Sequence, residues 1–164
     1  MTAGVKDHRA TASMMQRLAN ADPDMVRQAQ LVGQTEALAS VTQFWADAAD
    51  GDIRAYGLLI DFLGEEAERV RSTYLTEARV PKPDAETLAR LMGQGQMLGQ
   101  VLSAIGVLAN EIRRSGAAAP SPATAAVAGQ ACARFSEALA AEAARVRREF
   151  EIARIAAGPI AGNA

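Results

Sequence analysis

The stretch IRAYGLLIDFLGEEAERVRSTYLTEAR, residues 53–79, decides the fold. Within it Ile53, Tyr56, Ile60, Leu63, Ala67, Val70 and Tyr74 recur at alternating intervals of three and four. That spacing lays all seven on one stripe of an α-helix and sustains an a/d seam for three heptads. Glu65, Glu66, Glu68, Arg69 and Arg71 fall off the stripe, where water is expected. Val80-Pro81-Lys82-Pro83 then breaks the helix, because proline lacks the amide hydrogen that the helical ladder needs. So short a connection favours an antiparallel neighbour.

That neighbour starts behind Asp84, a capping residue, and carries Glu86 in its first turn, where the helix dipole favours a carboxylate. Its seam reads Leu91, Gly95, Leu98, Leu102, Ile105, Ala109 and Ile112, with Arg113 and Arg114 near its end and Gly116 as its stop. Toward the N-terminus, Gly51 suits a C′ position and Asp52 a cap. Asp47, Asp50 and Asp52 lack the residue order of a calcium loop and are read as caps and solvated side chains. The preceding helix runs from Pro23, capped by Asp22, to about Ala49, with Val26, Leu31, Leu38, Val41 and Trp45 inward. Phe44 and Trp45 are expected to anchor it against the helix of residues 53–79. A short first helix spans about Lys6 to Ala19, and a fifth runs from about Thr124 to Ala157 with Val127, Ala131, Phe135, Leu139, Val146 and Phe150 on one side.

The expected fold is therefore all-α: an elongated bundle of four to five helices built on a long antiparallel hairpin. Residues 1–21 are expected to form an N-terminal arm or short helix, 22–157 the bundle with a linker at 116–123, and 158–164 a flexible tail. No strand alternation and no repeat beyond the heptads are apparent. At about 1.5 Å per residue the two hairpin helices are each about 40–45 Å long, so their seam needs cover from the second and fifth helices or from another subunit.

Composition narrows the function. Of the chain, 49% is hydrophobic, much of it alanine, and only 4% is aromatic, so the core is thin and depends on close helix contacts. The formal charge of −2 gives no electrostatic argument for nucleic acid or an anionic membrane. A single cysteine, Cys132, rules out an intramolecular disulfide and a cysteine-based zinc site, and a single histidine, His8, rules out histidine-rich sets. Carboxylates are plentiful, but no Glu-x-x-His pair and no glycine-rich phosphate loop accompanies them. No catalytic, cofactor-binding or metal-ligating residue is expected, and hence no cofactor. No apolar run reaches the length of a membrane span and no secretory h-region is present, which makes the cytoplasm the expected compartment.

Glycines inside the helices are the unusual feature: Gly57 and Gly64 in the third, Gly93, Gly95, Gly99 and Gly106 in the fourth. Each costs about 0.5–1 kcal/mol relative to alanine. Gly57 and Gly64 are seven apart, as are Gly99 and Gly106, while Gly95, Gly99 and Ser103 are four apart. Rows of small residues let two helix backbones approach closely. Two readings follow: tight packing within the bundle, or an interface formed by Gly57, Gly64, Gly95, Gly99, Ser103 and Gly106 with a second copy or another helical protein. Gln94, Gln96 and Gln100 either hydrogen-bond across such a seam or face water.

The fifth helix carries Arg145, Arg147, Arg148 and Arg154 among Glu142, Glu149 and Glu151. Arg145/Glu149 and Arg147/Glu151 have i,i+4 spacing, which reads as a solvated, self-paired face; contact with phosphate or DNA is the alternative. Cys132 reads as a small packing residue.

Phe44-Trp45-Ala46, Gly51-Asp52-Ile53-Arg54-Ala55 and Leu58 to Leu63 with Glu65 and Arg69 resemble a pattern in bacteriophage small terminase subunits. There a tryptophan-bearing helix precedes a Gly-Asp-x-x-Ala turn that opens an oligomerisation helix. The resemblance covers residues 44–69 and lacks an N-terminal helix-turn-helix. It implies a homo-oligomeric ring that recognises viral DNA for packaging. The leading expectation is a non-enzymatic scaffold or adaptor acting through helix–helix contacts, with the DNA-packaging subunit as its alternative.

Overall fold

The computed structural model describes residues 12, 15–48, 54–114 and 122–156. All secondary structure among them is helical. Residues 15–20 form a short helix, α1. Four long helices follow: α2 (Pro23–Ala48), α3 (Arg54–Arg79), α4 (Ala85–Arg114) and α5 (Pro122–Ala156). Of the expected features, His8, Tyr56, Ala109, Ile112, Val127, the turn at 49–53, the linker from 115 to 121 and the tail lie outside the described residues or have side chains outside them.

Both legible caps form. Asp22 Oδ1 accepts a hydrogen bond from the Asp24 amide at 3.0 Å. Asp84 Oδ2 accepts from the Thr87 amide at 3.0 Å and from the Thr87 hydroxyl at 2.6 Å. Each satisfies an amide that the first helical turn leaves without a partner. At the α3–α4 turn, Glu77 accepts from the Asp84 amide at 3.1 Å and the Arg17 guanidinium donates to the Pro81 carbonyl at 3.2 Å.

The expected antiparallel hairpin of α3 and α4 forms; α3 also runs antiparallel to α2, and α5 runs antiparallel to α2, which places α2 and α4 roughly parallel. These two make the most extensive contact in the molecule; α3 flanks them on one side and α5 on the other. The core runs along this arrangement. Leu31, Leu38, Val41, Leu59, Leu63, Met97, Val101, Ile105, Phe135 and Val146 are all buried.

The expected seams are kept in part: Leu63, Val70, Leu91, Leu98 and Ile105 are buried, and Ala67 and Tyr74 pack against the core, while other positions turn outward. Leu59, not Ile60, points inward on α3: Leu59 is fully buried and Ile60 is 39% exposed. On α4, Gly95 is exposed and Leu102 is 43% exposed, while Met97 and Val101 are buried. The heptad reading assumes that α3 and α4 face each other alone. In the molecule α4 turns toward α2, and α3 fits the angle between them. Phe44 and Trp45 also part company. Phe44 stacks on Phe62 of α3 with ring centroids 4.3 Å apart. Trp45, one residue on, meets Phe135 of α5 edge-on at 4.9 Å and donates its indole N–H to the Ser136 hydroxyl at 2.9 Å. Adjacent helical residues point about 100° apart, so a single dipeptide ties α2 to both flanking helices.

Candidate functional site: the α2–α4 crossing and its flanks

Gly33 and Gly93 mark the point where α2 and α4 cross. A Cβ built on Gly33 would lie 1.9 Å from the Arg90 carbonyl oxygen, and one on Gly93 would lie 2.0 Å from the Gln30 carbonyl oxygen. No side chain fits at either position. The pairing is reciprocal, each glycine meeting the residue three before the other. The polar contacts beside it are reciprocal as well. The Gln34 amide donates to Gln96 Oε1 at 3.2 Å, and the Gln94 amide donates to Glu36 Oε2 at 2.7 Å. The residue after each glycine therefore bonds the residue three after the other. The two helices cross about a local two-fold axis that relates positions 60 apart. Buried pairs follow the same offset: Leu31 with Leu91, Leu38 with Leu98, Val41 with Val101.

This relation is written in the chain. LVGQTEALASV (31–41) and LMGQGQMLGQV (91–101) share leucine, glycine, glutamine, leucine and valine at equivalent positions. The expectation of no repeat beyond the heptads is thereby corrected. Gly33 and Gln34 escaped notice because a heptad reading scores apolar stripes and does not compare segments 60 residues apart.

Where the two copies differ, the flanks differ. Toward α3, Arg90 donates through Nε to Glu36 Oε2 at 2.8 Å and also contacts Glu36 Oε1. Burial pulls the Glu36 carboxyl up, but the bonds from Arg90 and Gln94 and the Arg90 charge outweigh it and hold it below the ordinary glutamate value. Only about 50 Å³ of free space remains here, between Glu36, Gln94, Arg69 and Val70. Toward α5 the equivalents of Arg90 and Glu36 are Gln30 and Gln96, both neutral. Here α4 and α5 diverge, and a cleft of about 680 Å³ opens over Gln30, Leu31 and Gln34.

The cleft has an amide floor and an ionic rim. Gln34 is 8% exposed, and its Oε1 is buried with no hydrogen-bond partner. Leaving a buried polar atom without a partner costs about 1–3 kcal/mol. Gln94 Oε1, its counterpart toward α3, is also without a partner. At the rim Arg145 donates through Nε to Glu142 Oε2 at 2.9 Å and also binds Glu149, which lies 3.5 Å from Arg27. Hydrogen bonding to Arg145 is the main influence on Glu142 and holds its carboxyl below the ordinary value. Bonding to Glu142 in turn raises Arg145. Two cations and two anions are thus spent on one another.

The glycine rows lie elsewhere. Gly57, Gly64, Gly95, Gly99, Ser103 and Gly106 are all exposed. A Cβ on Gly57, Gly64, Gly99 or Gly106 would meet no atom within 4 Å, and one on Gly95 would make ordinary contact with Val70 at 3.9 Å. The reading of these rows as tight packing within the bundle is corrected: the bundle's close contact falls at Gly33 and Gly93. On α4 the row occupies the side opposite the crossing. The arginines of α5 do not form one patch either. Arg145 is held in the cleft rim, Arg154 donates to Glu151 at 2.9 Å, and Arg147 and Arg148 are exposed. Glu151 takes Arg154 in place of the expected Arg147. Cys132 is buried within the core cluster.

Among the described residues no three His, Cys, Asp or Glu side chains are grouped to hold a metal ion, and no helix is long and apolar enough to cross a membrane. No protein-family model, curated protein or solved structure matches the chain.

Proposed function

We propose that the chain is a non-enzymatic helical scaffold or adaptor of the cytoplasm that assembles with itself through the outward faces of α3 and α4. One observation carries this reading. Gly57, Gly64, Gly99 and Gly106 have open space where a Cβ would sit, so nothing within the bundle requires a residue that weakens its helix. A second backbone approaching that surface does require it. Exposed apolar side chains accompany the rows: Leu58 at 56% and Ile60 on α3, Leu102 at 43% and Val107 at 61% on α4. Burying them against another copy recovers the hydrophobic gain that the bundle forgoes.

Absolute mass in solution, read by light scattering after size exclusion at two salt concentrations, tests the proposal. The expected result is a multiple of the chain mass at both concentrations, falling to the monomer in Gly99→Leu while the helical circular-dichroism signal is retained. A monomeric parent chain overturns it. A ring that binds DNA and releases it as salt rises, with counterions returning to the phosphates, replaces it with the packaging-subunit reading.

A further inference from the structure

We infer that the cleft between α2, α4 and α5 is a binding site for a neutral small molecule that carries an amide-type hydrogen-bonding edge on an apolar body. The inference is independent of self-assembly, because the cleft faces α5 and the glycine rows face away from the crossing. Its volume of about 680 Å³ is that of a small-molecule site. Gln34 supplies recognition at the floor. One end of its carboxamide is anchored to Gln96 and the other is buried without a partner. Gln34 lines the cleft, and its terminal torsion is broad and roughly two-fold, so a turn of the carboxamide toward a ligand matches an edge with a donor beside an acceptor. Gln30 and Gln100 extend the same neutral chemistry along the walls.

Charge selects against ions. Arg27 and Arg145 stand beside Glu142 and Glu149, so the rim carries no net charge to favour an anion or a cation. Within this mainly polar lining, Leu31 with Ala104 and Ala138 on facing helices supplies an apolar patch against which a small apolar body can rest. The opposite flank shows what distinguishes a site from a mere deficit. Gln94 Oε1 is equally without a partner there, but about 50 Å³ admits no ligand.

Four single-ring probes separate the elements of the claim in an NMR titration of the full chain that follows the glutamine side-chain amides. Benzamide is neutral with an N–H edge, N,N-dimethylbenzamide lacks the donor, benzoate is an anion and benzamidine a cation. The expected result is saturable shifts of the Gln34 and Gln96 amides with benzamide, with the other three binding at least about fivefold more weakly, the worth of one net hydrogen bond. Gln34→Leu is expected to abolish the Gln96 shift, and Ala138→Trp, which fills the cleft from an exposed position, to abolish both shifts while leaving Gln34 in place. Circular dichroism confirms folding of each variant. Absence of saturation with benzamide, equal binding of all four probes, or undiminished binding in folded Ala138→Trp overturns the proposal.

Discussion

The two flanks of the α2–α4 crossing are built from equivalent positions and behave oppositely. Toward α3 the pair beside the crossing is Arg90 and Glu36, and the space between helices closes to about 50 Å³. Toward α5 the equivalents are Gln30 and Gln96, and about 680 Å³ stays open. The crossing itself is the same seen from either side, since Gly33 and Gly93 fix the separation of both helices. What differs is whether the third helix is drawn in. A charge-assisted bond spans α2 and α4 beside α3, whereas on the other flank Arg145 is held by two glutamates of its own helix, one of which, Glu149, lies 3.5 Å from the exposed Arg27 of α2. α5 is secured instead at Trp45, Phe135 and Ser136, further along α2.

The largest effect is expected at the element common to both flanks. Gly93→Ala, and equally Gly33→Ala, places a methyl about 2 Å from a backbone carbonyl of the opposite helix. The helices must separate, and the loss is expected at about 3 kcal/mol or more in a urea unfolding measurement. A loss below about 0.5 kcal/mol would show that the helices do not meet at backbone contact.

A smaller effect sharpens the contrast in charge. Glu36→Gln is expected to cost about 1 kcal/mol at neutral pH, modest because Arg90 is half exposed to screening water. The sign with pH follows from the lowered Glu36 carboxyl. A carboxyl depressed on folding contributes stability above its unfolded value, near 4.5, and that stability is lost as pH falls through the folded value below it. Parent and variant are therefore expected to differ at pH 7 and to converge toward pH 3, with the parent losing more. Parallel curves in thermal melts across that range would remove Glu36 from the account.

The smallest effect compares the two glutamines. Gln34→Leu removes a buried atom without a partner and leaves only the exposed Gln96 unbonded, so it is expected to be neutral or to stabilise by up to about 1 kcal/mol. Gln94→Leu strips a bond from the half-buried Glu36 and is expected to destabilise by about 1 kcal/mol. Equal melting temperatures for the two variants would mean that the flanks are not distinct.

Much of this was legible in one dimension. Helix positions followed from period 3.6 and from capping chemistry, and Asp22, Asp84, Pro23 and Pro83 mark ends that the structure keeps to within a residue or two. These are local rules, decided within one turn of chain. The facing of each helix was less legible. Ile60 and Leu59 are neighbours of equal hydrophobicity, and only the angle at which α2 and α4 enclose α3 selects Leu59.

The sequence by itself determined an all-helical chain, its breaks, and a core poor in aromatic residues, because each depends on propensity, caps and composition. Tertiary structure alone decided which glycines lie between helices and which lie open, and which glutamines flank a sealed seam and which a cleft. A helix presents small and polar residues in the same periodic rows whatever stands opposite. The identity of the opposing surface arises only when residues 60 apart in the chain are brought to backbone contact at Gly33 and Gly93.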